Sequence, residues 1–567
     1  MDRKDSYQEP CLEQRHSTRK VSKWLSTLTL VVVSFVFGFQ FLSLSFSAVK
    51  SRLDGLSKAS FENVCAQPEP AAQTSNFSAF YSSLDFRMES AKRLSGAIQI
   101  PTMSYDDMGP TNEDERWKPF KEFHSYLRTT FPVVHDTAKL AIVGGYSPIY
   151  TFTGLNSSLK PLLLAAHQDV VPAVSSLERW TYPPFSGKID GEWIYGRGSS
   201  DCKNNLIGIL TSVEHLIKSG WKPRRTLVLA FGQDEEISGP RGAVNIAKYL
   251  ESEYGENGIA MIVDEGGMGI DEVYGADFAM PGIAEKGYTN MHIEVDMLGG
   301  HSSVPSQHTT IGILSKIVSA VEDSQVFKPH LETTSPIWGY LSCVAQHGSD
   351  KDVPSWIKKS IFSKKPNLDL VAKKFAQISL PNRYLVQTSK VPTIFHAGVK
   401  VNAMAESATV TFNSRVDIHS TPKDVQTTYL ALIKPIAEKY SLLFNGRSVS
   451  SEPSIGNISA IPSDGSLPSP ISPFTLDSTA WKVFARAVQA SFGKDVISAP
   501  SAMTGNTDTR HYWNLSKNIY RWSPARIGTR LNAHTVDEKI MIDSHIDGIK
   551  FYTELIIQSD IEESNAF

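Results

Sequence analysis

Cysteine is scarce in this chain. Its 567 residues hold four, Cys11, Cys65, Cys202 and Cys343, too few and too scattered to build a disulfide framework. Cys65 and Cys343 are candidates to pair, which spacing alone does not decide. A surplus of one charge is also missing. Lys+Arg 56 against Asp+Glu 59 leaves a net −3, so no basic excess argues for nucleic acid as a partner. Internal repeats are lacking as well. What remains is 41% hydrophobic and 20% charged, the balance of a globular protein, long enough for two folded units with appendages.

Charge is absent altogether from one stretch, the 26 residues "WLSTLTLVVVSFVFGFQFLSLSFSAV" at 24–49. A membrane-spanning helix needs about 20 apolar residues. A cleaved signal peptide is the rival reading, since "SFSA" offers small residues near the end. The polar lead of residues 1–23 and the length of the run favour an uncleaved signal anchor behind a short cytoplasmic tail. Arg15, Arg19, Lys20 and Lys23 precede the run, and Lys50, Arg52 and Lys58 follow it, so charge orients it weakly. The glycosylation sequons at Asn76, Asn156, Asn457 and Asn514 all follow the run, which places the large domain in a lumen.

Residues 50–87 read as a polar stalk, with "AQPEPAAQTSNFS" lacking periodicity. From 88 to 287, apolar strand-like runs ("LLLAA", "TLVLAF", "IAMIV") alternate with helical patterns ("NNLIGILTSVEHLIKSG", "GAVNIAKYLESEY"). That alternation predicts an α/β unit with a mostly parallel sheet. Across 288–450 the texture changes. "TNMHIEVDML" and "SATVTFNSRVDIH" alternate with period two, and an amphipathic helix follows Thr421, so an inserted α+β domain is expected. The Pro/Ser/Gly-rich stretch 451–473 reads as a return linker, and 474–567 resumes the α/β pattern.

Within that frame "FGQDEEISGPRG" sets a problem. Asp234, Glu235 and Glu236 stand side by side at the end of a core strand, where three carboxylates repel and resist desolvation. Ligands of open α/β sheets bind beyond the carboxyl ends of strands. Other predicted strand ends carry His167 and Asp169, Asp201, and Asp264 with Glu265. Alone, His167 reads as a core histidine, and each acid as a helix cap. Together they suit a divalent cation, which neutralises clustered carboxylates. Histidine plus carboxylate without cysteine points to zinc, with cobalt or manganese as substitutes.

The ordered set "HQDVVP", "GRGSSDCKN", "GQDEEISGPRGA", "VDEGG", "GGHSSVP", "GNTDTR" and "NAHTVDE" resembles the aminoacylase/carboxypeptidase family of two-zinc metallopeptidases, nearest its fungal vacuolar carboxypeptidase S (Gly-X carboxypeptidase) group. The resemblance runs from about Met88 to the C-terminus. It implies two Zn2+ per subunit. Asp201 would bridge the metals, His167 and Asp264 would complete one site, and Glu236 and His534 the other. Asp169 would orient His167, and Glu235 would stay off the metals as general base. On the inserted lid, His301 would stabilise the oxyanion, in many relatives from the partner subunit of a homodimer. Asn402 and Arg415 would hold the substrate carboxylate, bordered by Gly505, Asn506 and Thr507. Cys202 departs from the family, whose members usually carry Met or Asp there. A buried inert thiol is expected at that position.

The expectation is a single-pass type II membrane protein of the vacuole whose lumenal domain releases C-terminal residues from short peptides. Two other functions fit parts of the pattern. An N-acyl amino acid hydrolase/synthase would use the same constellation. A non-catalytic glycosylated membrane binding protein would not need Glu235.

Overall fold

The computed structural model describes residues 65–562. The expected tail (1–23), the anchor (24–49) and the first part of the stalk lie outside the described residues. Among the described residues no helix is long and apolar enough to cross a membrane.

The centre is an eight-stranded mixed sheet. Its order is Lys139–Val143, Ser147–Phe152, Leu227–Gly232, Leu162–His167, Met261–Asp264, Ile519–Arg521, Gly282–Glu285 and Ser501–Met503. The four middle strands, from Leu227–Gly232 to Ile519–Arg521, run parallel, and antiparallel pairings join both flanks. Strands buried on both faces read as unbroken apolar runs, which is why these were visible in the sequence. Leu162, Leu164 and Ala166 face one core with Leu206, Phe484 and Leu555 from the helices Lys203–Lys218, Thr479–Phe492 and Ile542–Ile561. Leu163 and Ala165 face the other, with Ile246 and Leu250 of helix Ala243–Tyr254.

A five-stranded sheet forms the second unit. Its order is Val391–Ala397, Ser407–Val416, Gly287–Met297, Gly456–Ser466 and Leu443–Phe444. Helices Thr310–Asp323 and Pro422–Lys439 cover one face, where Ile313, Ile317, Tyr429 and Ile433 meet Met291, Ile293, Val410 and Phe412. Thr421 caps the second helix as expected, in a capping box with Asp424. From this sheet projects a two-stranded ribbon, Gly300–His301 against Ala403–Met404.

Three expectations need correction. The stretch 451–473 is not a loop throughout, because Gly456–Ser466 pairs with Gly287–Met297. Ile458 and Ala460 turn inward there, and the Pro/Ser/Gly content hid this short alternation. The unit 288–450 is not one fold. Helices Pro336–His347, Ser355–Ile361, Leu368–Ala376 and Leu380–Leu385 form a separate helical insertion with its own core, shared with Phe278, Met280 and Ala499. Finally, residues 65–87 do not form a free stalk. Cys65 is disulfide-bonded to Cys343 of the first insertion helix. Gln67 bonds the backbone of Ser498, and Phe80, Tyr81 and Phe86 pack around His215.

Candidate metal centre

His167 ends strand Leu162–His167, and its ring is buried. The backbone carbonyl of Asp169 accepts from Nδ1 at 2.9 Å, and the Asp169 carboxylate lies 3.3 Å from the same nitrogen. This fixes the tautomer, so Nε2 presents its lone pair outward. Nε2 lies 3.2 Å from Asp201 Oδ1. The other Asp201 oxygen lies 3.1 Å from His534 Nε2, which is also 3.1 Å from Glu236 Oε2. One carboxylate thus stands between two histidines that are 367 positions apart (534 − 167) in the chain.

The three adjacent acids separate in space. Asp234 turns away from the centre and accepts the amides of Arg241 (2.9 Å) and Gly242 (2.7 Å), closing the loop behind it. Glu236 turns to His534. Glu235 lines the cavity at the centre. Their backbone is held from below: the buried Asp169 carboxylate accepts the amides of Glu235 (3.0 Å) and Glu236 (3.1 Å) and the hydroxyl of Ser104 (2.6 Å). Asp169 therefore does more than orient His167, since it also sets the turn that splits the glutamates.

Glu265, not Asp264, faces His167. Its Oε1 lies 3.7 Å from His167 Nε2, and it forms one candidate ligand group with His167, Asp201 and Cys202. Asp264 is the last residue of its strand, registered opposite Arg521; its Oδ1 accepts the Glu265 amide at 2.8 Å, and its Oδ2 is buried with no hydrogen-bond partner. The sequence reading placed both acids at this strand end and chose Asp264. Two further groups bring together Asp201, Glu236 and His534, and His167, Glu235 and Glu236.

The electrostatics fit a cation. Burial pushes Glu236 up to about 7 and Glu265 up to about 8, with the Asp201 charge adding to both. Burial likewise drives Glu235 well above the usual carboxylate range. Asp201 resists the same burial because His167 and His534, both protonated while no cation is bound, hydrogen-bond to it and hold it low. Hydrogen bonds to Asp201 and Glu236 raise His534 to about 10. Without a cation the cluster balances its charge by taking up protons, and these are the protons that a divalent ion displaces. Glu236 Oε1, buried with no hydrogen-bond partner, offers it a free acceptor. Among the described residues Cys202 is free and buried, its thiol pushed well up by burial, as expected of an inert side chain.

Glu538 was missed as a functional residue, although it stands in the quoted "NAHTVDE". Fully buried, it accepts the amides of Gly198 (3.1 Å), Ser200 (2.8 Å) and Asp201 (3.0 Å) and the guanidinium of Arg197 (2.6 Å). It therefore ties the loop that presents Asp201 to the segment that carries His534. The sequence marked it only by its place four residues beyond a ligand-type histidine.

A cavity of about 530 Å³ opens over the centre. Its lining includes Asp201, Glu235, Glu265 and His534, the apolar Met268, Met503 and Ile527, and Asn506 and Thr507. Arg415 reaches Asn506 Oδ1 at 2.9 Å without itself lining the cavity, and neither does Gly505. His301 and Asn402 lie elsewhere, exposed and adjacent on the projecting ribbon, where Ser302 N donates to Asn402 O at 3.1 Å. Of the sequons, Asn76 and Asn514 are exposed, and Asn156 is half-buried with its oxygen engaged by Ser158. Asn457 is bonded at both ends of its amide, to Gly446 and Ser459.

Residues 163–558 match peptidase family M20/M25/M40. Carboxypeptidase S of Saccharomyces cerevisiae is 39% identical over 491 residues, 83% of this chain and 84% of that protein. The N-fatty-acyl-amino acid synthase/hydrolase of Bos taurus is 33% identical over 485 residues, 84% of this chain and 89% of that one. In fold, the chain is similar to human carnosine dipeptidase 1, with a TM-score of 0.59 at 14% identity, across 87% of this chain and 100% of the other.

Proposed function

Since this chain belongs to the peptidase family M20/M25/M40 and is a hydrolase of peptide bonds, we propose that it works as a two-zinc carboxypeptidase on short peptides of the Gly-X type. One observation carries the reading: the two oxygens of Asp201 reach His167 and His534 separately, at 3.2 and 3.1 Å, as a bridging ligand must. In this scheme His167 and Glu265 complete one site, and Glu236 and His534 the other. Imidazole and carboxylate donors without an ionised thiol suit zinc. Bound metals would polarise the scissile carbonyl and acidify a water. Glu235 would accept the proton of the attacking water and pass it to the leaving amine. Arg415 and Asn402 would hold the substrate carboxylate, and Arg415 suits it through its planar fork.

His301 and Asn402 are exposed on the ribbon and absent from the cavity of their own chain, which favours their use at the centre of a second copy. The antiparallel unit is then a lid and the dimerisation surface. The neighbouring ribbon and loop residues Leu298, Val304, Val399 and Val401 are apolar and 80% or more exposed, as side chains awaiting a protein partner would be. The uncharged run at 24–49 and the exposed sequons Asn76 and Asn514 support a type II membrane protein with this body in the vacuole lumen.

The apolar residues Met268, Met503 and Ile527 in the cavity lining favour one alternative, an N-acyl amino acid substrate with its acyl chain against them. Purified protein is to be assayed on Gly-Leu-type dipeptides and on N-fatty-acyl amino acids, each with and without chelator, alongside zinc content per chain. Chelator-sensitive turnover that favours the dipeptides supports the proposal. Preference for the acyl substrates overturns it, and zinc-free, inactive protein would leave a binding role.

A further inference from the structure

Arg415 sits near the end of strand Ser407–Val416, in register with Tyr288, the second residue of the strand by which the chain enters the antiparallel unit. Its amide donates to Ser389 Oγ at 2.8 Å, and its guanidinium lies over the Tyr288 ring at 5.9 Å. These contacts fix the backbone and the stem of the side chain. The aim of the guanidinium is set from the other unit, where Nη1 donates to Asn506 Oδ1 at 2.9 Å.

Asn506 is itself fixed. Its Nδ2 donates to the backbone carbonyl of Lys286 at 2.6 Å. Lys286 is the single residue between strand Gly282–Glu285 of the central sheet and strand Gly287–Met297 of the antiparallel sheet, so it marks the junction of the two units. That junction is anchored on every side. The buried Lys286 ammonium donates to the carbonyls of Tyr384 (2.9 Å) and Gln387 in the helical insertion. Glu285 pairs with Arg521 at 3.0 Å and accepts the Thr507 hydroxyl at 2.6 Å. One amide side chain therefore spans the junction, its oxygen on the guanidinium and its nitrogen on the Lys286 carbonyl. Only an amide of this length supplies both an acceptor and a donor here. Aspartate cannot donate to Lys286, and a smaller residue reaches neither partner.

We propose that Asn506 is a positioning residue that sets Arg415 for the substrate carboxylate. The inference rests on the reading of Arg415 given above.

The test compares matched free-acid and C-terminally amidated dipeptides in full-length wild type, Asn506→Ala, Asn506→Asp and Arg415→Ala. In Asn506→Ala, the ratio of kcat/KM for acid over amide should fall about tenfold, chiefly through KM of the acid, with zinc content equal to wild type. Asn506→Asp should lower the ratio at least as far, because its charge pairs with Arg415 and competes with the substrate. It also serves if the alanine variant does not fold. Should both Asn506 variants lower acid and amide turnover equally while Arg415→Ala discriminates between them, Asn506 is structural and the inference falls. If Arg415→Ala itself affects acid and amide alike, the carboxylate role of Arg415 falls first, and the inference with it.

Discussion

Glu235 and Glu236 are chain neighbours with different partners, and the difference comes from one buried side chain. Asp169 holds both their amides, so the turn carries one carboxylate to His534 and leaves the other over the cavity. If Glu235 handles protons and binds no metal, Glu235→Gln should retain wild-type zinc and lose on the order of 10²–10⁴ in kcat. Metal analysis beside turnover measures both, and a variant with half the wild-type zinc would make Glu235 a ligand. At this scale the sequence was legible where a residue's type restricts its chemistry. His167, Asp201 and Glu236 come together as their types suggested, and with them His534, which the family resemblance implied. The choice between Asp264 and Glu265 was not legible, because it depends on where the strand stops and which carboxylate the next amide captures. Glu538 escaped for a related reason: its partners are backbone amides about 340 residues away, which no side-chain pattern announces.

Among the elements, the central strands were readable because burial on both faces leaves uninterrupted apolar runs, and the long strands Gly287–Met297 and Ser407–Val416 because one face is buried. The helical insertion was not readable as a unit. Its helices bury against Phe278, Met280 and Ala499, which come from distant strands and loops, so no local period marks its edges. The ribbon Gly300–His301 with Ala403–Met404 is the element whose role is most open to experiment. It carries His301 and Asn402 away from the cavity, and its placement suits action across a dimer. His301→Ala and Glu235→Gln homodimers should each be nearly inactive. A heterodimer of the two variants gathers both defects at one centre and leaves the other intact. Activity should return to about half the wild-type value per heterodimer, assuming independent centres. Exchange is verified by co-purification through two tags. Inactive heterodimers would show that His301 does not act across the interface.

For the whole molecule, the orientation proposed here gives a gel experiment. Endoglycosidase should increase mobility, through sugars on Asn76 and Asn514 above all, and protease added to sealed vesicles should remove only about the first 23 residues. Digestion of the body in intact vesicles would reverse the topology. The bond between Cys65 and Cys343 governs how any such gel is read. It closes a ring across a sequence separation of 278 that takes in the Asp201 loop, the Glu235–Glu236 turn and Lys286. One cut inside that ring opens it without releasing a fragment, so the nicked chain runs as a single species until a reductant is added. A cut ahead of Cys65 frees the entire body at once, reduced or not. Proteolytic maturation in front of the ring and damage within it therefore leave different signatures in paired reducing and non-reducing lanes.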